Sequence, residues 1–450
     1  MRDQVLELLR DKKMHQLQDI LKAINPADVA DIMQGLFEDK ALHPEELPVF
    51  FRLLPKDTAA DTFAELELDA QQALIAALSD GELREVISDM FADDAADLLD
   101  ELPANVVKRI LKNVDPDVRR DINSLMGYPE DSAGSIMTTE FVSLKTMMTV
   151  QQAFARIRQT GVDKETIYTC YVTAPGGKLL GLVSVKDLLL ADYDDIIGSI
   201  MEQNVISCHT LEDQEAVARL FRRYGFTALP VVDTENRLVG IVTVDDAITV
   251  LEEEATEDME VMAAMTPSDK PYLKTGTLEI YKSRIPWLLV LMLSATFTGM
   301  IIRHFEGALA ACVVLTTFIP MLMNTGGNSG SQSSVTVIRG LSVGDLAFAD
   351  LARILWKEAR VAILCGLTLS VCNFAKLMVF DRVGLLISAV VCLTLLVTVC
   401  IAKLVGCSLP LLAKKLGFDP AVMASPFLTT IVDAIALLVY FRFASGILNI

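Results

Sequence analysis

The chain has 450 residues, 52% of them hydrophobic, and a formal net charge of −20 at pH 7. Residues 1–282 hold 52 acidic and 27 basic side chains, whereas residues 283–450 hold 7 and 12. Because nucleic-acid phosphates require basic patches, this balance argues against a nucleic-acid partner. It indicates an acidic water-soluble region followed by an apolar membrane region.

The first residues are rich in charge, so we expect no cleavable signal peptide and a cytoplasmic N-terminal region. Six of the eight cysteines lie in the apolar third, without the close spacing of zinc or redox motifs. The four histidines are scattered, and the sequence contains no Walker loop or nucleophile elbow. These patterns argue against an enzyme or an ATP-hydrolysing pump.

Residues 1–130 are predicted to form an acidic, all-helical domain. Prolines at positions 26, 44, 48, 55, 103 and 116 separate short amphipathic segments. The similar phrases Leu53-Leu54-Pro55 and Glu101-Leu102-Pro103 each precede an amphipathic run. This repetition suggests stacked helical hairpins in a superhelical arrangement.

An internal duplication predicts two copies of one α/β module, at residues 131–197 and 198–252. Gly-Ser-Ile-Met at 134–137 recurs at 198–201, and the phrase at 181–187 recurs at 240–246. Each copy reads as helix, strand, turn, strand and helix. With its Met opener and Gly-x-x-Ser/Thr-x-x-Asp closing phrase, this order resembles a tandem pair of CBS domains. The last carboxylate of that phrase, Asp187 or Asp246, often binds adenosine ribose in such pairs, but the spacing is also that of a helix capping box.

Residues 253–282 connect the modules to the apolar region. Six acids occupy the nine residues 252–260. Like charges at i,i+4 destabilise an isolated helix, so we expect a cation to offset the repulsion. A solvated connector without a bound ion is the alternative.

Residues 283–450 are predicted to hold five transmembrane helices, at 285–304, 309–325, 352–378, 384–405 and 423–445. Five spans place the two chain ends on opposite sides of the membrane. The connections after the second and fourth spans are basic, which makes them cytoplasmic and agrees with an inward N-terminus and an outward C-terminus.

Polar residues interrupt two of these apolar spans. Asn324, Asn328 and Gln332 recur every four residues near the end of the second span and offer amide oxygens on one helix face. Asp433, with Thr429 one turn before it, is the only charge between residues 421 and 441. Carboxylate and amide oxygens suit Mg²⁺, which keeps most of its waters, so these residues indicate a cation path. The alternatives are a small-residue packing motif and a protonated or Ser/Thr-bonded helix contact.

The ordered set of acidic N-domain, CBS pair, acidic linker, five spans, Gly-Gly-Asn-Ser-Gly-Ser-Gln phrase and lone aspartate resembles the MgtE family of magnesium transporters over essentially the whole chain. The resemblance implies a homodimer whose second and fifth spans line a pore, with Asp433 of both subunits binding hydrated Mg²⁺. It also implies a "plug" helix at 253–282 and pore closure when cytosolic Mg²⁺ bridges acidic surfaces. The implied regulatory ligands are Asp61, Asp93, Asp97, Asp213, Glu215, Asp246, Glu254, Glu257 and Asp258.

The leading hypothesis is therefore a Mg²⁺-selective channel of the bacterial-type plasma membrane. It would import Mg²⁺ down its electrochemical gradient for magnesium homeostasis, and ATP stays open as a ligand of the CBS cleft. One alternative is a nucleotide-sensing membrane regulator without ion flux. Another is an anion channel with CBS modules. Asp433 and an absence of basic residues within the spans argue against that alternative.

Overall fold

A computed structural model describes residues 1–268, 270, 272–423 and 425–448. The predicted outward-facing chain end, residues 449–450, lies outside the described residues. The chain divides into two compact units, Met1–Leu251 and Glu252–Ile450. The mainly α fold class with an embedded α/β pair is confirmed.

The N-terminal part of the first unit is helical throughout its described elements, as predicted. Pro26 and Pro116 each occupy the first turn of a helix, where a missing N–H costs nothing. Buried Leu17, Phe50 and Phe63 fill the core between the helices. The helices are Arg2–Arg10 (α1), Met14–Leu21 (α2), Pro26–Glu38 (α3), Leu47–Phe51 (α4), Lys56–Ala64 (α5), Leu68–Ala77 (α6), Asp80–Asp89 (α7), Ala92–Asp100 (α8), Ala104–Asn113 (α9) and Pro116–Leu125 (α10).

The duplicated modules each contain a three-stranded sheet. In both sheets the first strand runs parallel to the second, and the second runs antiparallel to the third. The first strand of each copy was not predicted, because it is only two to four residues long. The elements are Phe141–Leu144 (β1), Val150–Thr160 (α11), Thr166–Thr173 (β2), Leu179–Ser184 (β3), Val185–Leu190 (α12), Ile197–Ile200 (α13), Cys208–His209 (β4), Gln214–Tyr224 (α14), Ala228–Val232 (β5) and Leu238–Thr243 (β6).

One helix, Val244–Met262 (α15), closes the second module and continues through the acidic stretch. The expected boundary at residue 252/253 therefore falls inside a single helix. Beyond it, the second unit consists of Thr277–His304 (α16), Glu306–Ala311 (α17), Ile319–Ser342 (α18), Leu351–Val379 (α19), Leu385–Leu416 (α20) and Ser425–Leu448 (α21).

Four segments of the described chain are long and apolar enough to cross a membrane: Thr277–His304, Phe348–Val379, Leu385–Leu416 and Pro420–Leu448. The predicted bounds of the second span, 309–325, are wrong. The chain breaks after Ala311, passes through a 3₁₀ segment at Val313–Phe318 and begins a new helix at Ile319. Pro320 lies in the first turn of that helix, where proline is tolerated, so the polar run belongs to the body of α18 rather than to the end of an oily helix.

Candidate functional site

Glycines of α18 bring it into close contact with α20 and α21. A Cβ atom at Gly326 would lie 2.8 Å from Thr398 and 3.0 Å from Val432, and one at Gly327 would lie 2.9 Å from Thr429. Gly330 meets Leu428 in the same way, so α18 and α21 run antiparallel. This register places Asp433 at about the height of Thr325, within one residue of Asn324 along the axis of α18.

The amides of α18 lie on a different face from its glycines. Asn324, Asn328 and Gln332 are exposed, and Asn328 Nδ2 donates to Asn324 Oδ1 at 3.2 Å. The small residues pack while the amides face away from the packed helices, so α18 carries both a packing face and a polar face. Polar groups at membrane depth are tolerated only beside protein or water, which argues against lipid along the amide face.

Asp433 lies half-buried on α21 and forms no hydrogen bond or ion pair with any residue that the structure describes. The threonines one turn earlier do not satisfy it. Thr429 Oγ1 and Thr430 Oγ1 both donate to the carbonyl oxygen of Pro426, at 2.9 and 3.2 Å. The Ser/Thr-bonded alternative therefore has no support in this conformation, and the carboxylate is available to a ligand, to water or to a second chain.

A cluster of carboxyl groups lies within the first unit. Asp93 and Asp94 start α8, Glu165 precedes β2, and Asp246 lies in the first turn of α15. Asp93 is 8% exposed, and its Oδ1 is buried without a hydrogen-bond partner. Burial and the mutual repulsion of these groups disfavour the charged forms.

The pKa values in this acidic cluster are raised accordingly. Burial, with like charges on Asp94, Asp246 and Glu165, raises the pKa of Asp93 well above its usual range. Burial first, then Asp246, raises the pKa of Asp94 to about 6. Burial and the charges of Asp245 and Asp246 raise the pKa of Glu165 to about 8. The carboxylates of this cluster therefore repel one another, and a bound proton or cation would reduce that repulsion.

Other predicted regulatory residues are more dispersed. Asp61 adds to the negative field at Asp94, and Asp97 lies further along the same helix as Asp94. Asp213 caps α14 by accepting from the Ala216 N–H at 3.1 Å, and Glu215 pairs with Arg219 at 3.1 Å. Among the described residues, no three His, Cys, Asp or Glu side chains form a ready-made metal site. Any Mg²⁺ in the acidic cluster would therefore be held largely through its waters.

The two candidate nucleotide ligands both act as capping residues. Asp187 accepts hydrogen bonds from Ser184 N–H and Oγ–H, and the Ser184 hydroxyl in turn accepts from Asp187 N–H. Asp246 accepts from Thr243 N–H and Oγ1–H. The structural alternative is therefore realised at both positions, whereas nucleotide binding stays a prediction.

Acidic residues of α15 that lie in the second unit approach the end of α18 and the segment between α20 and α21. Glu254, Glu257 and Asp258 follow one another within about one helical turn, and Asp258 accepts from Ser342 Oγ at 2.6 Å. Burial, with the charge of Asp258, raises the pKa of Asp419. Asp419 was not predicted as a site residue, because it lies far from Asp258 in the sequence.

The expectation that the spans hold no basic residue is wrong. Lys403 lies within α20 and is only 5% exposed. One charge barely changes the hydropathy of so apolar a segment, so the hydropathy pattern does not reveal this lysine. Other residues of the acidic region were also not predicted, since no linear motif links segments that distant. They are Asp94 and Glu165, Glu65, whose charge acts on Asp94, and Asp245, whose charge acts on Glu165.

Comparison with known proteins covers nearly the whole chain. A family model described as a divalent cation transporter matches residues 319–443, one for the MgtE intracellular N domain matches 24–131, and CBS domain models match 133–194 and 197–253. The magnesium transporter MgtE of Thermus thermophilus is 38% identical over 98% of this chain and 97% of its own length. That of Bacillus subtilis is 33% identical, over 99% and 97%.

Two crystal structures resemble the first unit. One, the cytosolic domain of the Mg²⁺ channel MgtE in complex with ATP, is 37% identical with a TM-score of 0.51, and the match covers 56% of this chain and 100% of that one. The other, the soluble part of a magnesium transporter, is 32% identical with a TM-score of 0.53, and the match covers 56% and 98%.

Proposed function

This chain belongs to the MgtE family of magnesium transporters, and from that premise we propose that it is a Mg²⁺-selective channel gated by cytosolic Mg²⁺. It is a multi-pass membrane protein. We further propose that its N-terminal region lies in the cytoplasm, its C-terminus lies outside, and Mg²⁺ enters down its electrochemical gradient in the service of magnesium homeostasis.

The observation that carries this proposal is Asp433, which has no partner among the described residues and lies at about the height of Asn324 on the neighbouring helix α18. An isolated carboxylate at membrane depth is costly, and such residues usually mark an ion pathway. Mg²⁺ dehydrates reluctantly and is held by one or two carboxylates together with several of its waters. Asp433 would bind the hydrated ion, while Asn324, Asn328, Gln332 and Thr429 accept hydrogen bonds from its waters.

The exposed amide face also supports a homodimer. In a single chain that face would meet lipid, which polar amides do not tolerate without partners. A second copy related by a two-fold axis would place two amide faces and two Asp433 carboxylates around one path. The paired charges would then favour a divalent over a monovalent cation.

Gating follows from the acidic surfaces. Without cations, the acidic cluster and the acids of α15 favour looser arrangements, because like charges repel. A divalent ion binds the compact arrangement more tightly and shifts the population towards it. We propose that this compact arrangement closes the pore, with Asp61, Asp93, Asp97, Asp213, Glu215, Asp246, Glu254, Glu257 and Asp258 as the regulatory ligands.

The CBS pair supports a second ligand. A relative's cytosolic domain was crystallised with ATP. We propose that ATP binds the CBS cleft here, with Asp187 or Asp246 exchanging its capping bond for the ribose. ATP binding without any Mg²⁺ flux would favour the regulator alternative instead.

Growth of a magnesium-auxotrophic bacterial strain tests the pore assignment. We expect Asp433→Ala to abolish growth at low Mg²⁺ while the protein still reaches the membrane. A matched control is Asp381→Ala, which removes a carboxylate that pairs with Lys376 at 2.9 Å between α19 and α20. Growth of the Asp433 variant equal to that of the control would contradict the assignment.

A further inference from the structure

A buried ammonium group lies behind the candidate pore helix. Lys403 of α20 is 5% exposed, and its Nζ donates to Ser333 Oγ of α18 at 3.4 Å. The Ser333 hydroxyl in turn donates to Glu358 Oε2 of α19 at 2.7 Å. One serine thus joins a cation and an anion that come from two neighbouring helices.

The buried ammonium of Lys403 is stabilised by the nearby carboxylate of Glu358. Removing an ammonium or a carboxylate from water is costly, and the loss of one partner leaves an uncompensated buried charge. Lys403 is buried and Glu358 is partly exposed, and together they carry no net charge, which lowers the cost of holding the ammonium among apolar helices. None of the three residues belongs to the pore or sensor sites described above, so this bridge is unassigned.

The network also lies close to a tight contact between α18 and α20. A methyl group at Gly406 would overlap the carbonyl oxygen of Gly330, so α18 and α20 touch backbone to backbone there. The two helices run parallel, since Gly326 meets Thr398 and Gly330 meets Ala402. Ser333 lies about one turn beyond the contact on α18 and Lys403 about one turn before it on α20, so the lysine side chain spans the contact. Close packing fixes the distance between α18 and α20 but involves no directional bond. The hydrogen bonds that Ser333 forms with Lys403 and Glu358 are directional, so they oppose rotation of α18 about its axis.

We propose that Lys403, Ser333 and Glu358 form a positioning network that sets the rotation of α18 and thereby the geometry of its ion-selecting amide face. The exposed Gln332 directly precedes buried Ser333, so a rotation released at Ser333 would turn the amides. This inference rests on the proposed channel function. Lys403 and Glu358 touch no ion; they act through α18.

The test compares Mg²⁺ and Mn²⁺ uptake into liposomes that contain the full-length protein. A reduced folded fraction lowers both fluxes equally, whereas a turned amide face changes their ratio. We expect Lys403→Met and Glu358→Gln each to change the Mg²⁺:Mn²⁺ ratio by about fivefold, and the double variant to change it no further than the larger single change, because each substitution breaks the same bridge. The matched control is Lys357→Met, at an exposed position beside Glu358 on α19.

Three outcomes separate the possibilities. An unchanged ratio in both single variants, or a double variant in which the two single changes multiply as independent effects, overturns the network. Should Lys403→Met fail to fold, Ser333→Ala serves instead, because it keeps both charges and removes the bridge. This variant is expected to change the Mg²⁺:Mn²⁺ ratio in the same way, and an unchanged ratio would also overturn the network. Absence of flux from wild-type protein would instead refute the channel itself.

Discussion

Replacement of Glu165 by glutamine should stabilise the cytosolic unit when Mg²⁺ is absent. The folded-state pKa of Glu165 is about 8 and its ordinary value is 4.5, so the folded protein holds an extra proton between those pH values. As far as Glu165 is concerned, the free energy of unfolding is therefore highest below about pH 4.5, and it falls as the pH rises towards 8. The shift corresponds to about 5 kcal/mol at 1.36 kcal/mol per pH unit, and solvent screening of a group that is partly exposed reduces this to ~2 kcal/mol.

Thermal unfolding of a fragment spanning residues 1–262 measures this effect. At 2–4 °C per kcal/mol, we expect Glu165→Gln to raise the midpoint by roughly 4–8 °C at pH 8 and to change it little at pH 5. Added Mg²⁺ should stabilise wild type more than the variant, since the variant has lost part of the repulsion that the ion relieves. The control is Glu202→Gln, at an exposed glutamate of the same unit. An equal gain at both pH values, or no gain at pH 8, would refute the reasoning.

Two more predictions concern the acidic helix and the helix packing. Millimolar Mg²⁺, but not NaCl at equal ionic strength, should protect residues 245–265 from a glutamate-specific protease. An unchanged digestion pattern would contradict Mg²⁺ sensing by the acidic helix. Gly406→Ala should lower the thermal midpoint of the detergent-solubilised protein, because overpacking at the helix contact costs about 2 kcal/mol. The control is Gly446→Ala, which has open space around its Cβ position and should leave the midpoint unchanged. Equal midpoints for the two variants would contradict the close helix contact.

The elements that follow from local patterns could be predicted from the sequence. Proline spacing and amphipathic runs predicted the helical N-domain, and the recurring Gly-Ser-Ile-Met phrase predicted the paired modules. The course of the chain around Pro320 could not be predicted from hydropathy, since an apolar window does not distinguish one helix from a 3₁₀ segment followed by a new helix. The short strands β1 and β4 were missed because they depend on pairing with distant segments.

The candidate pore could be predicted in part, and the acidic cluster less well. A lone aspartate in an apolar span and amides at four-residue spacing are visible in one dimension. Glu165 and Asp94 meet only after two domains fold, so their raised pKa values have no linear signal. Lys403 was overlooked for the opposite reason: it is visible in the sequence, but only its burial against Ser333 shows that it matters.

Ionic currents from the purified protein in planar bilayers, with Mg²⁺ as the sole permeant cation, test the pore assignment most directly. We predict a Mg²⁺ current that cytosolic-side Mg²⁺ suppresses and that Asp433→Asn eliminates. An Asp433→Asn variant that conducts Mg²⁺ as well as wild type would contradict the central role of that carboxylate.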